Sequence, residues 1–416
     1  MGAPTHRPVA PTMCGAGYQV SAGGSAGRGR NYDVSMSQEP FGDIPLFREI
    51  QKLLASGGGP INFEIARQVG LATATQGSAD PNPLPDVQRS FDDAIHAAKA
   101  LLVGYTRRQL DEPVLGKVVG RAWWVQDSLK SWKWLLERLA TRLTGELGSL
   151  GRSEDNESNA MTSALGQIAP LLLGIQMGTL VGHLAAESLG RYEWPIPRDD
   201  DGQLFLVAPN VDKLASDYGF DLETFRRWLA VRDTARHLVV STVPWFDRYL
   251  RSLLSEVVDA MEIDTADLER RLMELQTKGP EALQESFGDA GALPIAPTER
   301  HRKALDRLRA LLGAFEGYAA HAATAIMPEI AGDTTRIDEG MTRAALSPSQ
   351  SERMLSSFLG IALDRDLETS GSTYCAAIVQ LQGVPALNRL WEAPDNLPLI
   401  EEIKDPFAWM ERVLGE

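Results

Sequence analysis

Apolar residues recur at three- and four-residue spacing along most of the chain, which predicts amphipathic helices. The segments with this spacing are 43–55, 84–104, 115–145, 160–189, 221–240, 246–262, 265–275, 299–327 and 350–366. A short apolar run from Gly202 to Asn210 follows an acidic turn and reaches a proline near its end, which predicts a strand. The pattern therefore predicts a mainly α fold with a small β element.

The first forty residues differ in composition from the rest of the chain. They are rich in Gly, Ser, Ala and Pro and contain no continuous apolar segment, so we predict a flexible tail over 1–40 and no signal peptide. A natural start at Met36, with residues 1–35 as an extension, is a hypothesis that mass spectrometry of the native N-terminus would test. No later linker forces a division, which predicts one domain over 41–416.

The stretch from Ser158 to Ala186 contains no charged residue and is long enough to span a membrane. Four of its residues are costly in lipid: Gln167, Pro170, Gln176 and His183. Three glycines recur every four residues and lie on one helical face: Gly174, Gly178 and Gly182. We therefore predict a buried helix of a soluble protein with no membrane span. A glycine face of this kind is also a candidate packing surface in a homo-oligomer.

The amino-acid composition limits which classes of molecule the protein is expected to bind. Hydrophobic residues make up 44% of the chain, enough for a large core, and the net charge is −15. Since an acidic chain repels phosphate backbones, nucleic acid is not expected as a partner. Only two cysteines are present, which excludes a multi-cysteine zinc site and fits the reducing cytoplasm. The tryptophans near residue 124 are predicted to be core residues.

The helix predicted over 221–240 contains an unusual pair of arginines. Arg232 and Arg236 are four residues apart and share one face, with Asp233 beside the first. This is the geometry of His-Glu-x-x-His, in which two imidazoles hold zinc and the glutamate activates its water. A guanidinium has no lone pair to donate. It also repels a divalent ion, by about 6 kcal/mol at roughly 5 Å and an effective dielectric of about 20.

Several blocks in order resemble an actinobacterial family of zincin-like metallopeptidases, described as hydrolases or zinc-dependent metalloproteases. The resemblance extends from about Phe41 to the C-terminus. The blocks are GGGPINFEIARQVG, GIQMGTLVGHLAAESLGRYEWPIP, LFLVAPNVDKLASDYGFDLETFRRWLAVRDTARHLVVSTVPW, FEGYAAHAATAIMPEI and GVPALNRLWEAPDNLPLIEEIKDPFAWMERVL. The resemblance implies a zincin-like helical domain.

The resemblance also assigns roles to individual positions. The family's two metal-binding histidines fall on Arg232 and Arg236, and its glutamate falls on Asp233. A third ligand is implied at Glu316, in the block that also contains Gly317. Zinc is the family expectation, but no cofactor is expected here because the histidines are replaced. No residue is predicted to be catalytic.

These features predict a pseudoenzyme that binds a protein or an anionic small molecule in the old cleft through Arg232, Asp233, Arg236 and Glu316. Glu316 is expected to form an ion pair with Arg232 or Arg236, leaving a surplus of positive charge. One alternative is an active metal-dependent hydrolase with a rearranged site. Its candidate ligands are the remaining histidines, His183, His237, His301 and His321. The other alternative is a structural subunit of a homo-oligomer.

Overall fold

Thirteen α-helices and one two-stranded parallel sheet make up the described part of the chain. The computed structural model describes residues 59–76, 80, 84–150, 156–199, 202–264, 266, 267, 270, 273, 295, 296, 298–344, 349–359 and 365–415. They belong to one compact unit, Glu49–Glu416. The predicted tail over 1–40 and helix over 43–55 lie outside the described residues, as does most of the predicted helix over 265–275.

The helices and strands follow one another in this order: α1 Phe63–Thr75, α2 Pro85–Thr106, β1 Gly116–Val119, α3 Arg121–Ser131, α4 Lys133–Leu150, α5 Asn156–Glu187, β2 Leu204–Val207, α6 Ala208–Tyr218, α7 Leu222–Thr242, α8 Phe246–Asp259, α9 Glu299–Ala331, α10 Thr335–Ala344, α11 Gln350–Leu359, α12 Arg365–Leu387 and α13 Pro406–Leu414. Two short 3-10 helices, Asn388–Trp391 and Pro394–Asn396, connect the last two α-helices.

The prediction of a mainly α fold with a small β element is confirmed, although several boundaries differ. The predicted helix over 115–145 contains β1, which pairs with β2 in parallel so that Gly116 lies opposite Leu204. The predicted strand ends at Val207, and helix α6 begins at the next residue with Pro209 in its first turn, where proline is tolerated. Helix α12 was not predicted beyond residue 366, although its buried residues Gly371, Tyr374, Cys375 and Ile378 recur at helical spacing.

Three elements form the centre of the fold around the candidate site. Helix α9 packs against both α7 and α12. Its contact with α12 is close because glycines meet there: a Cβ on Gly317 or on Gly371 would overlap the backbone of the facing helix. The same glycine contact brings Glu316 of α9 and Glu368 of α12 to the same side of the α9–α12 pair.

The glycine face of α5 packs against α1 within the same chain. A Cβ on Gly174 would lie 2.6 Å from Asn62 O, and one on Gly178 would lie 2.5 Å from Ala66 O. Helix α1 of the same chain therefore covers this glycine face, and a homo-oligomer stays a prediction. By length and composition alone, Ala169–Glu187 could cross a membrane, but half of that window is buried in the structure.

Candidate functional site

Helix α7 has the register that its sequence predicts. Asp221 caps it, accepting a hydrogen bond from Thr224 N at 2.9 Å, and the helix ends at Thr242, before Pro244. Phe225 and Trp228 are buried on its apolar side. This register turns both Arg232 and Arg236 toward α9 and α12, where their partners lie.

Arg236 lies between two carboxylates. Its Nε and NH2 atoms lie 2.9 and 2.8 Å from Glu316 Oε2, and NH1 lies 3.2 Å from Asp233 Oδ1. The side chains of Arg236, Glu316 and Asp233 are 13%, 22% and 8% exposed. Burial acts to lower the pKa of Arg236, but the carboxylates outweigh it and raise that pKa above its ordinary value. The ion pair predicted for Glu316 is therefore present, and its cation is permanent.

Arg232 has a partner that was not predicted from the sequence. Its NH2 group forms an ion pair with Glu368 of α12, and its guanidinium carbon lies 4.7 Å from the centre of the Trp228 ring. The first motif position is thus occupied by an arginine that is paired on one side and stacked on the other. Together, Arg232 and Arg236 tie α7 to both α12 and α9.

Asp233, at the position that the resemblance assigns to the family's glutamate, accepts a hydrogen bond from the backbone. Its Oδ2 atom accepts a hydrogen bond from Arg191 N at 2.7 Å, and a Cβ on Gly190 would collide with the same oxygen. Gly190 also bridges Leu206 of β2 in antiparallel fashion. Burial raises the pKa of Asp233, and Arg236 acts against that rise. This carboxylate therefore holds the segment after α5 onto α7.

A cavity of about 650 Å³, here called the acidic cavity, opens beside these residues. Its charged lining residues are Glu187, Glu193, Asp233, Glu316, Asp338, Glu352 and Glu368 together with Lys213, Arg232, Arg236 and Arg309. Carboxylates outnumber cations in this lining, so the predicted surplus of positive charge is wrong. The prediction placed one carboxylate between two guanidiniums, whereas other segments contribute further carboxylates to the lining.

Glu193 lines the acidic cavity and was not predicted as a site residue. It follows α5 and is accessible at the cavity surface. The surrounding protein raises the pKa of Glu193 to about 7 by desolvation, against the opposing effect of Arg236. A signal for it existed, because Glu193 lies in the GRYEWPIP block that resembles the family. Glu368 had no such signal, since it lies outside every quoted block.

Comparison with known proteins assigns the chain to a family. The family model for zincin-like metallopeptidases matches residues 61–410. The chain belongs to the zincin-like metallopeptidase family. A protein from Chloroflexus aurantiacus, whose crystal structure is described as that of a "putative hydrolase with a novel fold", has the same fold. It shares 22% identity at a TM-score of 0.62, covering 86% of this chain and 99% of that one. No curated protein matches the chain.

The residues at the motif positions of this family member do not fit a zinc ion. Two of the positions carry guanidinium groups that cannot coordinate a metal, and the third carries Asp233, which is committed to the Arg191 amide. Among the residues that the structure describes, no group of three or more His, Cys, Asp or Glu side chains could hold a metal ion.

The histidines of the rearranged-site alternative lie in separate surroundings. His237 Nδ1 lies 2.9 Å from Tyr192 OH and its Nε2 lies 3.0 Å from Ser241 Oγ. His321 Nε2 lies 2.9 Å from Tyr105 OH. Burial lowers the pKa of His321 and of His301. His237 and His321 are therefore explained by local hydrogen bonds.

Proposed function

We propose that this chain is a metal-free member of the zincin-like metallopeptidase family that acts by binding a partner rather than by hydrolysis. The observation that supports this most is the position of Arg236, bonded through Nε and NH2 to Glu316 and through NH1 to Asp233. In this arrangement a permanent protein cation takes the place that a zinc ion requires.

The chemistry of the other motif residues supports the same proposal. Zinc hydrolysis needs a coordinated water and a carboxylate free to take its proton. Asp233 faces the Gly190–Arg191 backbone and is buried, 6% exposed. Arg232 is held by Glu368 and stacked on Trp228. The ion pairs preserve the shape of the cleft. The groups that zinc hydrolysis needs, a metal ligand and a free carboxylate, are not available at these positions.

The charge of the acidic cavity makes an anionic ligand the less favourable partner. Both motif arginines already have carboxylate partners, so an anion would have to displace Glu316 or Glu368. Breaking a largely buried ion pair in this way is costly. We therefore propose a protein or other ligand that does not depend on negative charge.

Zinc titration with a parallel hydrolysis assay tests the proposal. Tag-free protein is titrated with zinc by calorimetry and assayed against casein and a mixed peptide library, with and without chelator. We expect no stoichiometric zinc binding and no chelator-sensitive hydrolysis. Stoichiometric zinc together with chelator-sensitive peptide cleavage would contradict the proposal. The triple variant Arg232→His, Asp233→Glu, Arg236→His is the matched comparison, since it restores the ligand types on the same helix.

A hydrolase with a rearranged site is the second candidate, and Glu193 is the observation that favours it. A carboxyl group with a pKa of about 7 in a cavity is typical of an acid–base catalyst working near neutral pH. This candidate predicts hydrolysis that Glu193→Gln abolishes. The binding proposal predicts that neither the wild-type protein nor this variant hydrolyses peptide.

A further inference from the structure

A second cavity, called here the apolar cavity, has a volume of about 420 Å³ and lies among α7, α8, α9 and the segment between α5 and β2. The motif residues Arg232, Asp233 and Arg236 are not part of its wall. The apolar cavity is therefore a feature distinct from the motif. Aromatic and aliphatic side chains form most of its wall, among them Tyr192, Trp194, Val240, Phe246, Leu250 and Phe315.

Three rings form a continuous aromatic side of the apolar cavity. The ring centres of Tyr192 and Phe315 lie 6.5 Å apart with their planes at 67°, and those of Phe315 and Phe246 lie 4.9 Å apart at 38°. Aromatic rings attract one another in offset or edge-to-face arrangements at centre distances of about 4.5–7 Å. An aromatic ligand can therefore continue the packing that these three rings begin.

The wall opposite the helices is irregular backbone that is fixed in place. Within the segment 191–199, Trp194 Nε1 donates a hydrogen bond to Ser188 Oγ at 2.6 Å. Arg198 NH1 lies 2.6 Å from Asp127 Oδ2, and the Arg198 side chain is only 3% exposed. Moving this segment inward to fill the apolar cavity would break a buried ion pair, which is costly. The cavity is therefore preformed, as small-molecule sites usually are.

The charged side chains in the lining of the apolar cavity have partners within the protein. Arg251 forms ion pairs with Asp199 and Asp247, each at 2.8 Å. Arg191 donates a hydrogen bond to a backbone carbonyl at 3.0 Å, and Arg198 is paired as described above. A charged ligand would lose hydration on entering this cavity, and every cation and carboxylate named here is already engaged. The lining therefore favours an uncharged ligand.

We infer that the apolar cavity is a binding site for an uncharged molecule with two fused aromatic rings or a body of similar size and polarity. A cavity of about 150 Å³ lined by aliphatic and aromatic side chains holds one benzene ring. The apolar cavity, at about 420 Å³, has room for a second ring and lies within the range of about 300–1,000 Å³ typical of small-molecule sites. This site goes beyond the proposed function, which concerns the motif on α7.

Calorimetric titration with three matched probes tests the ligand class. The probes are 2-naphthylmethanol, the cationic 2-naphthylmethylamine and the anionic 2-naphthoate, titrated into full-length protein. We expect saturable one-to-one binding of the alcohol, at least about tenfold tighter than that of either ion, because each ion is desolvated without a counter-ion. No saturable binding of the alcohol, or equal or tighter binding of either ion, would overturn the inference.

A cavity-filling variant and a crystal soak test the location. Val240 is partly buried in the wall, so Val240→Phe places a ring inside the cavity, and we expect it to weaken the alcohol at least about tenfold. Leu399→Phe adds a ring at a residue that is 58% exposed, and as the control it should leave the affinity unchanged. Equal affinities for both variants would overturn the assignment. Wild-type crystals soaked with 6-bromo-2-naphthylmethanol should show a bromine anomalous peak beside Phe246 and Phe315, and a bromine peak found only elsewhere would also overturn it.

The variant Arg251→Met tests whether the paired charges set the preference for an uncharged ligand. It leaves Asp199 and Asp247 without this cation, so the affinity ratio of the amine to the naphthoate should rise. Since these carboxylates are 63% and 51% exposed, we expect a rise of only about threefold. An unchanged or lower ratio would contradict the charge argument and with it the assignment of an uncharged ligand. Zinc binding, which tests the proposed function, does not enter into any of these measurements.

Discussion

Replacing Arg236 by methionine removes a cation that contacts both Glu316 and Asp233. Methionine keeps much of the apolar volume of the side chain, so the change acts mainly on charge and hydrogen bonding. It deletes the contacts to Glu316 Oε2 at 2.9 and 2.8 Å and the contact to Asp233 Oδ1 at 3.2 Å. Two carboxylates are left without their counter-ion.

The cost of this change follows from burial. Breaking a buried pair by removing one partner destabilises a protein by about 3–5 kcal/mol, because an unpaired charge remains in the interior. The side chains of Arg236 and Glu316 are 13% and 22% exposed, so we expect the lower end, about 3 kcal/mol. The double variant Arg236→Met, Glu316→Met removes this ion pair but leaves Asp233 without Arg236, so we expect only part of the loss to be recovered.

Urea unfolding followed by tryptophan fluorescence measures these free energies. The matched control is Arg138→Met, which breaks an ion pair with Asp259 whose side chains are 44% and 41% exposed. For that exposed pair we expect a loss of about 1 kcal/mol or less. If Arg236→Met costs no more than Arg138→Met, or if the double variant is less stable than either single variant, the buried ion-pair account of the site is wrong.

Two further predictions concern α5 and Glu193. Gly178→Ala should destabilise the protein by about 1–3 kcal/mol by overpacking, because the added Cβ would lie 2.5 Å from Ala66 O. Gly104→Ala in α2, with no atom within 4 Å, should stabilise it by up to about 1 kcal/mol, and equal effects in urea unfolding would refute the packing argument. Because folding raises the pKa of Glu193 to about 7, the folded state holds that proton more tightly than the unfolded state. Stability of the wild type should therefore fall relative to Glu193→Gln as pH rises from 5 to 8, and parallel pH profiles would contradict this.

The elements of the fold that were predictable are those with strong local signals. Helix α7 was predictable because its Asp221 cap, its apolar stripe and the proline after its end all lie within one segment. Strand β1 was not, because its four residues, Gly-Lys-Val-Val, cannot be distinguished from a helical turn without the parallel partner that stabilises them. Its partner β2 lies far along the chain, so no local pattern encodes the pairing.

The candidate site was predictable only in part, for a related reason. The motif on α7 and the family block around Glu316 on α9 identified two of the three helices that contribute side chains to the site. Glu368 reaches Arg232 through the close glycine contact between α9 and α12, which is a tertiary feature. The sign of the cavity charge depends on residues from several segments. Counting only the charged residues of the motif therefore gives a net positive charge, whereas the cavity lining contains more carboxylates than cations.

The central claim, that two paired arginines take the place of the family's zinc, is tested most directly by anomalous diffraction. Crystals of tag-free protein are grown with zinc and measured at the zinc absorption edge. The account predicts no anomalous peak within coordination distance of residues 232, 233, 236 or 316, with the Arg236 guanidinium on Glu316 as in the present structure. A zinc peak held by side chains at those positions, with Arg236 displaced, would contradict it.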